Sequence, residues 1–128
     1  MSARIVLAPG NGCGDLNDCM WYPSVMKQLR SSTVHTQLKE FPDPLYAKES
    51  QWIPFLKGPL GCDENTIVIG HSSGAAAAMR LAETLKLKGI VLVSAYKSDL
   101  GDSLERVSSF YSPTWISIGG RSRSGSHL

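Results

Sequence analysis

The pentapeptide Gly70-His71-Ser72-Ser73-Gly74 has the composition and setting of a serine nucleophile. It follows the apolar run of residues 66–69, which predicts a strand, and it precedes the alanine-rich run of residues 75–79, which predicts a helix. A G-x-S-x-G sequence at a strand-to-helix turn is typical of a nucleophile elbow, in which a tight bend lifts the serine hydroxyl off the sheet. Larger side chains at the two glycine positions would collide with a neighbouring strand and with the helix start. Ser72 is therefore predicted to attack acyl groups.

A glycine-rich loop, Pro9-Gly10-Asn11-Gly12, follows the apolar run at the start of the chain. An acyl-transfer serine needs N–H donors for the developing oxyanion, and these come from the residue after the serine and from such a loop. The loop reads G-x-G-x-G-D rather than the dinucleotide pattern G-x-G-x-x-G, so no nucleotide cofactor is predicted.

The elements that must position these residues alternate along the chain. Strands are predicted at residues 3–8, 33–38, 65–69 and 89–95, and helices at residues 21–29, 47–57 and 74–87. Pro54 predicts a break or kink in the second helix. Near-continuous apolar strands that alternate with helices indicate a mostly parallel sheet of four or five strands covered on both faces. The predicted fold class is α/β, a three-layer sandwich.

The composition indicates a globular protein and does not favour a nucleic-acid-binding, membrane-spanning or metal-binding one. The chain has 128 residues, 42% hydrophobic and 19% charged, which is normal for one globular domain. A net charge of +2 does not favour a nucleic-acid partner, and no apolar run is long enough for a signal segment or membrane span. Three cysteines, an odd number, predict free thiols and a cytoplasmic or nuclear location. His, Cys and Asp show no ligand spacing, so no metal is predicted.

An ordered set of motifs resembles one family, the retinoblastoma-binding serine hydrolases, which are small α/β-hydrolases. The motifs are Pro9-Gly10-Asn11-Gly12, Trp21-Tyr22, Pro42-Asp43-Pro44, and the runs at residues 49–55, 67–75 and 91–96. The resemblance covers about residues 3–115. It implies the N-terminal part of an α/β-hydrolase fold and a serine hydrolase that cleaves small ester or amide bonds through Ser72. It also implies an oxyanion hole made by the backbone N–H of Ser73 and an N–H of Asn11 or Gly12.

The acid and the base of a catalytic triad depart from the family pattern. In this fold an Asp or Glu and then a His follow the nucleophile along the chain. Asp99 and Asp102 come one strand too early, and His127 lies in a serine-rich tail. His71 is next to Ser72, so its side chain is predicted to point away from the hydroxyl. Without a base, Ser72 keeps its proton, and we predict impaired catalysis.

The composition changes near residue 115, which predicts a folded domain before this point and an unfolded tail after it. Residues 1–115 form the predicted hydrolase domain, and residues 116–128 are a Ser/Gly/Arg-rich tail with too little apolar surface to fold. The pattern is typical of a truncated or alternatively spliced form of the family.

A second motif supports an alternative function of a different class. Leu60, Cys62 and Glu64 form L-x-C-x-E, a short motif that binds the pocket of the retinoblastoma protein. Such binding needs an extended and accessible segment. The alternative function is that of a non-catalytic binder of this pocket. The motif can also be incidental, with Cys62 as a small core residue before a buried strand.

Overall fold

The computed structural model describes residues 3–93. The predictions for the boundary at residue 115, the tail, Asp99, Asp102 and His127 lie outside the described residues. Seven regular elements and one short 3-10 helix, Leu16–Asp18, follow one another within residues 3–93. They are β1 (Ala3–Ala8), α1 (Tyr22–Leu29), β2 (Val34–Gln37), α2 (Glu49–Lys57), β3 (Thr66–His71), α3 (Ser73–Thr84) and β4 (Gly89–Val93). None of these helices is long and apolar enough to cross a bilayer.

The strands form one parallel sheet in the order β2-β1-β3-β4. In the central pair, Ile5 lies opposite Ile67 and Ala8 lies opposite Gly70. The carboxyl ends of β1 and β3 therefore meet at one edge of the sheet. This register brings the glycine-rich loop after β1 beside the turn after β3.

Two hydrophobic clusters cover the two faces of the sheet. On one face, Ile5 and Leu7 of β1 pack with Tyr22 and Met26 of α1. On the other face, Val6 of β1 packs with side chains of α2 and α3. Successive residues of a strand point to opposite faces, so β1 contributes to both clusters. The predicted three-layer arrangement with a parallel sheet is confirmed.

The boundaries of two helices differ from the prediction. Helix α3 ends at Thr84 rather than at residue 87, because Leu85 has an extended backbone (φ −136°, ψ 129°). Leu85 and Leu87 still pack against the core from outside the helix, which explains why their apolar pattern extended the predicted helix. Helix α2 begins at Glu49 rather than at residue 47 and continues through Pro54 to Lys57, so the helix is not broken there; a kink at Pro54 stays a prediction.

The cysteines also differ from the prediction. Cys13 and Cys19 form a disulfide across the loop that follows the glycine-rich segment, with their Cα atoms 6.3 Å apart. The prediction of free thiols is therefore wrong for these two. The prediction rested on the odd number of cysteines, and a count of cysteines does not report which of them lie close together. Cys62 is free and buried, and burial raises the pKa of its thiol to about 11.

Candidate active site

The two glycines of the pentapeptide are required by close backbone contacts. A Cβ on Gly70 would lie 2.4 Å from the carbonyl oxygen of Gly74, in the first turn of α3. A Cβ on Gly74 would lie 1.8 Å from the carbonyl oxygen of Ala8, at the end of β1. These are the collisions with the helix start and the neighbouring strand that the sequence predicts. The close approach of α3 to β1 thus depends on both glycines.

Ser72 occupies a strained backbone conformation between β3 and α3. Its φ of 55° and ψ of −114° lie in a region that residues with a side chain rarely adopt. Such a conformation costs about 1–3 kcal/mol and persists only where the surroundings hold it. The amide of Ser72 donates to the carbonyl of Val93 (3.0 Å), and its carbonyl accepts from the amide of Ala75 (2.9 Å). The side chain of Ser72 is half-buried rather than enclosed in the core.

The glycine-rich loop lies directly against this turn. A Cβ on Gly10 would lie 3.5 Å from the Cβ of Ser72. Asn11 joins the loop to α3, because its Oδ1 accepts a hydrogen bond from the hydroxyl of Ser73 (2.9 Å). The amide of Gly12 donates to the carbonyl of Pro44 (2.9 Å). Within residues 3–93 the amide of Asn11 has no acceptor, so Asn11 rather than Gly12 offers a free loop N–H.

His71 points away from the hydroxyl of Ser72, as its position next to the serine predicts. Its Nδ1 is 2.7 Å from the hydroxyl of Tyr22, and its ring makes an edge contact with Trp21 at 5.4 Å between centroids. Tyr22 is fully buried, and its hydroxyl also accepts the N–H of Gly10 (2.8 Å). Sequence reasoning missed this contact. The only signal was the Trp21-Tyr22 pair, which entered as part of the family resemblance.

We expect His71 to make folding dependent on pH. Burial lowers the pKa of His71 below its ordinary value of 6.5, so the unfolded chain takes up the proton first as pH falls. The contribution of neutral His71 to the unfolding free energy is therefore fully present above about pH 6.5. It is lost as pH falls from there through the lowered pKa. Thermal melts between about pH 5.5 and 7.5 measure this slope. The slope should be smaller in His71→Asn and unchanged in His35→Asn, because His35 is exposed on the edge strand β2; equal slopes in all three would contradict it.

No described side chain is placed to take the proton of Ser72. Within residues 3–93 no imidazole or carboxylate is hydrogen-bonded to its hydroxyl, since His71 bonds to Tyr22 and the exposed His35 lies on β2. The same part of the chain contains no cluster of three His, Cys, Asp or Glu side chains that could hold a metal ion. The described site therefore consists of a serine on a strained turn, a helix N-terminus and a glycine-rich loop.

The L-x-C-x-E segment lies between α2 and β3, with its leucine and cysteine side chains buried and its other three residues exposed. Leu60 is 1% exposed and Cys62 is 6% exposed, and both pack in the cluster beneath α2 and α3. The guanidinium of Arg4 donates to the carbonyls of Leu60 (2.8 Å) and Gly61 (2.7 Å). Glu64 is exposed. Two of the three motif side chains are thus part of the core.

Comparison with known proteins places the chain beside hydrolases. It is 51% identical over 113 residues to the serine hydrolase RBBP9 of Rattus norvegicus, a match covering 88% of this chain and 61% of the rat protein. It is 32% identical over 105 residues to YdeN of Bacillus subtilis, which is named as a hydrolase; that match covers 78% of this chain and 54% of YdeN. The chain thus spans less than two thirds of the length of these curated relatives. No family model matches the sequence.

Comparison with solved structures shows that the fold is similar to that of hydrolases. The ydeN gene product from B. subtilis matches with a TM-score of 0.73 and 25% identity, over 89% of this chain and 62% of that chain. An extracellular α/β-hydrolase from a Paenibacillus species matches 73% of this chain and 41% of that chain, with a TM-score of 0.54 and 17% identity, which supports the fold alone. The predicted fold class, α/β with the parallel sheet of an α/β-hydrolase, is confirmed.

Proposed function

We propose that this chain, which is 51% identical over 113 residues to the serine hydrolase RBBP9, reacts with small ester or amide bonds through Ser72. The observation that supports this most strongly is the backbone of Ser72, held at φ 55° and ψ −114° between Gly70 and Gly74. A relaxed connection would need neither the strain nor the glycines. A strained turn that leaves a serine half-buried at the end of a parallel sheet is the arrangement of a nucleophile elbow.

The proposed reaction has two steps. The Oγ of Ser72 attacks the carbonyl carbon of the substrate, the bond to the alcohol or amine breaks, and the leaving group takes a proton. Water then attacks the acyl group on Ser72, which releases the carboxylic acid and restores the hydroxyl. Both steps pass through a tetrahedral intermediate with negative charge on the former carbonyl oxygen.

The N–H groups of Ser73 and Asn11 are the proposed donors to that oxygen. Ser73 is the first residue of α3, so its N–H lies at the positive end of the helix. The amide of Asn11 follows Gly10, which packs against Ser72, and the Ser73 hydroxyl holds the Asn11 side chain. Each such donor contributes about 3–4 kcal/mol to stabilising the transition state. The amide of Gly12 is a weaker candidate because it donates to Pro44.

We further propose that the reaction is slow in this chain. The proposal rests on the described residues, among which no base contacts the Ser72 hydroxyl; its proton then leaves to solvent. Loss of a triad member lowers the rate by several orders of magnitude and leaves the part contributed by oxyanion binding.

Labelling with a fluorophosphonate probe tests the proposed function. The Oγ of Ser72 displaces fluoride from phosphorus, and its proton leaves with the fluoride. We expect slow but complete labelling of the parent chain and none of Ser72→Ala. Ser50→Ala is the matched control, since Ser50 is exposed on α2 and should label like the parent. Equal labelling of Ser72→Ala and the parent would refute Ser72 as the nucleophile.

The burial of Leu60 and Cys62 does not favour the alternative of retinoblastoma-pocket binding. A pocket ligand must present its leucine and cysteine on an extended segment. Here both side chains would have to leave the core, and the hydrogen bonds of Arg4 to Leu60 and Gly61 would have to break. The acyl-transfer proposal needs no such rearrangement.

A further inference from the structure

The hydroxyl of Tyr22 joins three segments of the candidate site at one atom. It accepts the N–H of Gly10, in the glycine-rich loop, at 2.8 Å. It also lies 2.7 Å from Nδ1 of His71, the residue before Ser72. Tyr22 itself begins helix α1 and is fully buried. The loop and the strained turn are thus connected through a side chain that the proposed reaction does not use.

The hydrogen-bond partners determine where the protons lie. Because one lone pair of the Tyr22 oxygen accepts the N–H of Gly10, the phenol hydrogen needs an acceptor of its own in this buried position. His71 Nδ1 is the acceptor within reach, so Tyr22 donates to it and the imidazole proton lies on Nε2. Burial raises the pKa of Tyr22 and lowers that of His71, and both shifts favour a neutral phenol beside a neutral imidazole.

The hydrogen bonds of the Tyr22 hydroxyl to Gly10 and His71 lie immediately beside Ser72. A Cβ on Gly10 would be 3.3 Å from His71 Nδ1 and 3.5 Å from the Cβ of Ser72. The next residue along the loop, Asn11, carries the amide that we assign to the oxyanion. A movement of Gly10 away from His71 therefore changes the distance between that amide and Ser72.

We infer that Tyr22 is a positioning residue for acyl transfer, which holds the glycine-rich loop against the elbow and fixes the His71 tautomer through its hydroxyl. This inference rests on the proposed function of Ser72. Tyr22 does not contact the substrate; its effect passes through Gly10 to the amide of Asn11. A displacement of about 1 Å at such a donor can cost up to about a hundredfold in rate.

The kinetic test compares Tyr22→Phe with the parent. The variant keeps the ring in the core and removes only the hydroxyl. We expect the second-order rate constant for fluorophosphonate labelling of Ser72 to fall about 10- to 100-fold. The matched control is Tyr46→Phe, because Tyr46 is 41% exposed, and it should label at the parent rate. A Tyr22→Phe rate within about twofold of the parent would overturn the inference.

A spectroscopic test does not depend on reactivity, and its first measurement needs only the parent chain. Nitrogen NMR of the ¹⁵N-histidine-labelled parent should show His71 with a proton on Nε2 and an unprotonated, hydrogen-bonded Nδ1. In Tyr22→Phe the Nδ1 signal should move, and the amide of Gly10 should exchange faster with solvent. A proton on Nδ1 in the parent would refute the inference even if the variant does not fold.

The two tests separate this inference from the proposed function. A parent chain that is not labelled at all contradicts the role of Ser72, and the His71 spectrum then decides whether Tyr22 holds the loop. A parent that is labelled, together with an unaffected Tyr22→Phe, contradicts the positioning role alone.

Discussion

Replacing Gly74 by alanine is expected to destabilise the chain more than most single substitutions, by about 3–5 kcal/mol. The added Cβ would lie 1.8 Å from the oxygen and 2.3 Å from the carbon of the Ala8 carbonyl, so backbone would have to move. Helix α3 would shift away from β1 and open the contact between elbow and loop. Since domains are stable by about 5–15 kcal/mol, the variant should melt at a much lower temperature or fail to fold.

Gly14→Ala is the matched control for this prediction. Gly14 also follows β1, but a Cβ there would meet no atom within 4 Å. We therefore expect its melting temperature to stay close to that of the parent. A Gly74→Ala chain that melts within a few degrees of Gly14→Ala would show that α3 does not approach β1 as closely as described.

The second large effect is the pH dependence of Ser72 reactivity. If solvent takes the serine proton, the reactive alkoxide becomes about tenfold more abundant for each unit of pH. The labelling rate should then rise about 100-fold between pH 7 and pH 9. If a histidine acts as general base for the serine, the labelling rate instead levels off above the pKa of that histidine.

The measurement is the labelling rate of the parent at intervals across this range, with the Ser72→Ala rate subtracted at each pH. Circular dichroism at both ends confirms that the chain stays folded. A plateau near neutral pH would contradict the proposed lack of a base and would show that a general base assists Ser72.

The strand, the tight turn and the helix around Ser72 could be predicted from the local sequence. The apolar run before Gly70 and the alanines after Gly74 indicated a strand and a helix, because each has the pattern of its element over several residues. The glycines could also be interpreted correctly, since a tight strand-to-helix turn leaves no room for side chains. The strand, the helix and the clash at Gly70 depend on neighbours in the chain, whereas the clash at Gly74 is with Ala8 on β1.

The contacts between distant segments could not be predicted in this way. Tyr22 and His71 are 49 residues apart, and the bond between them depends on α1 packing beside the end of β3. The partner of the Gly12 amide, Pro44, belongs to a loop whose path has no sequence pattern. The Cys13–Cys19 disulfide likewise depends on the fold of the loop rather than on the number of cysteines.

The most direct test of the central claim is to locate the fluorophosphonate adduct by peptide mass spectrometry on the intact parent chain. We predict one phosphonyl group per chain, on the Oγ of Ser72, and no adduct in Ser72→Ala under the same conditions. An adduct on another residue, or no adduct after exhaustive labelling of the folded chain, would contradict the assignment of Ser72 as the nucleophile.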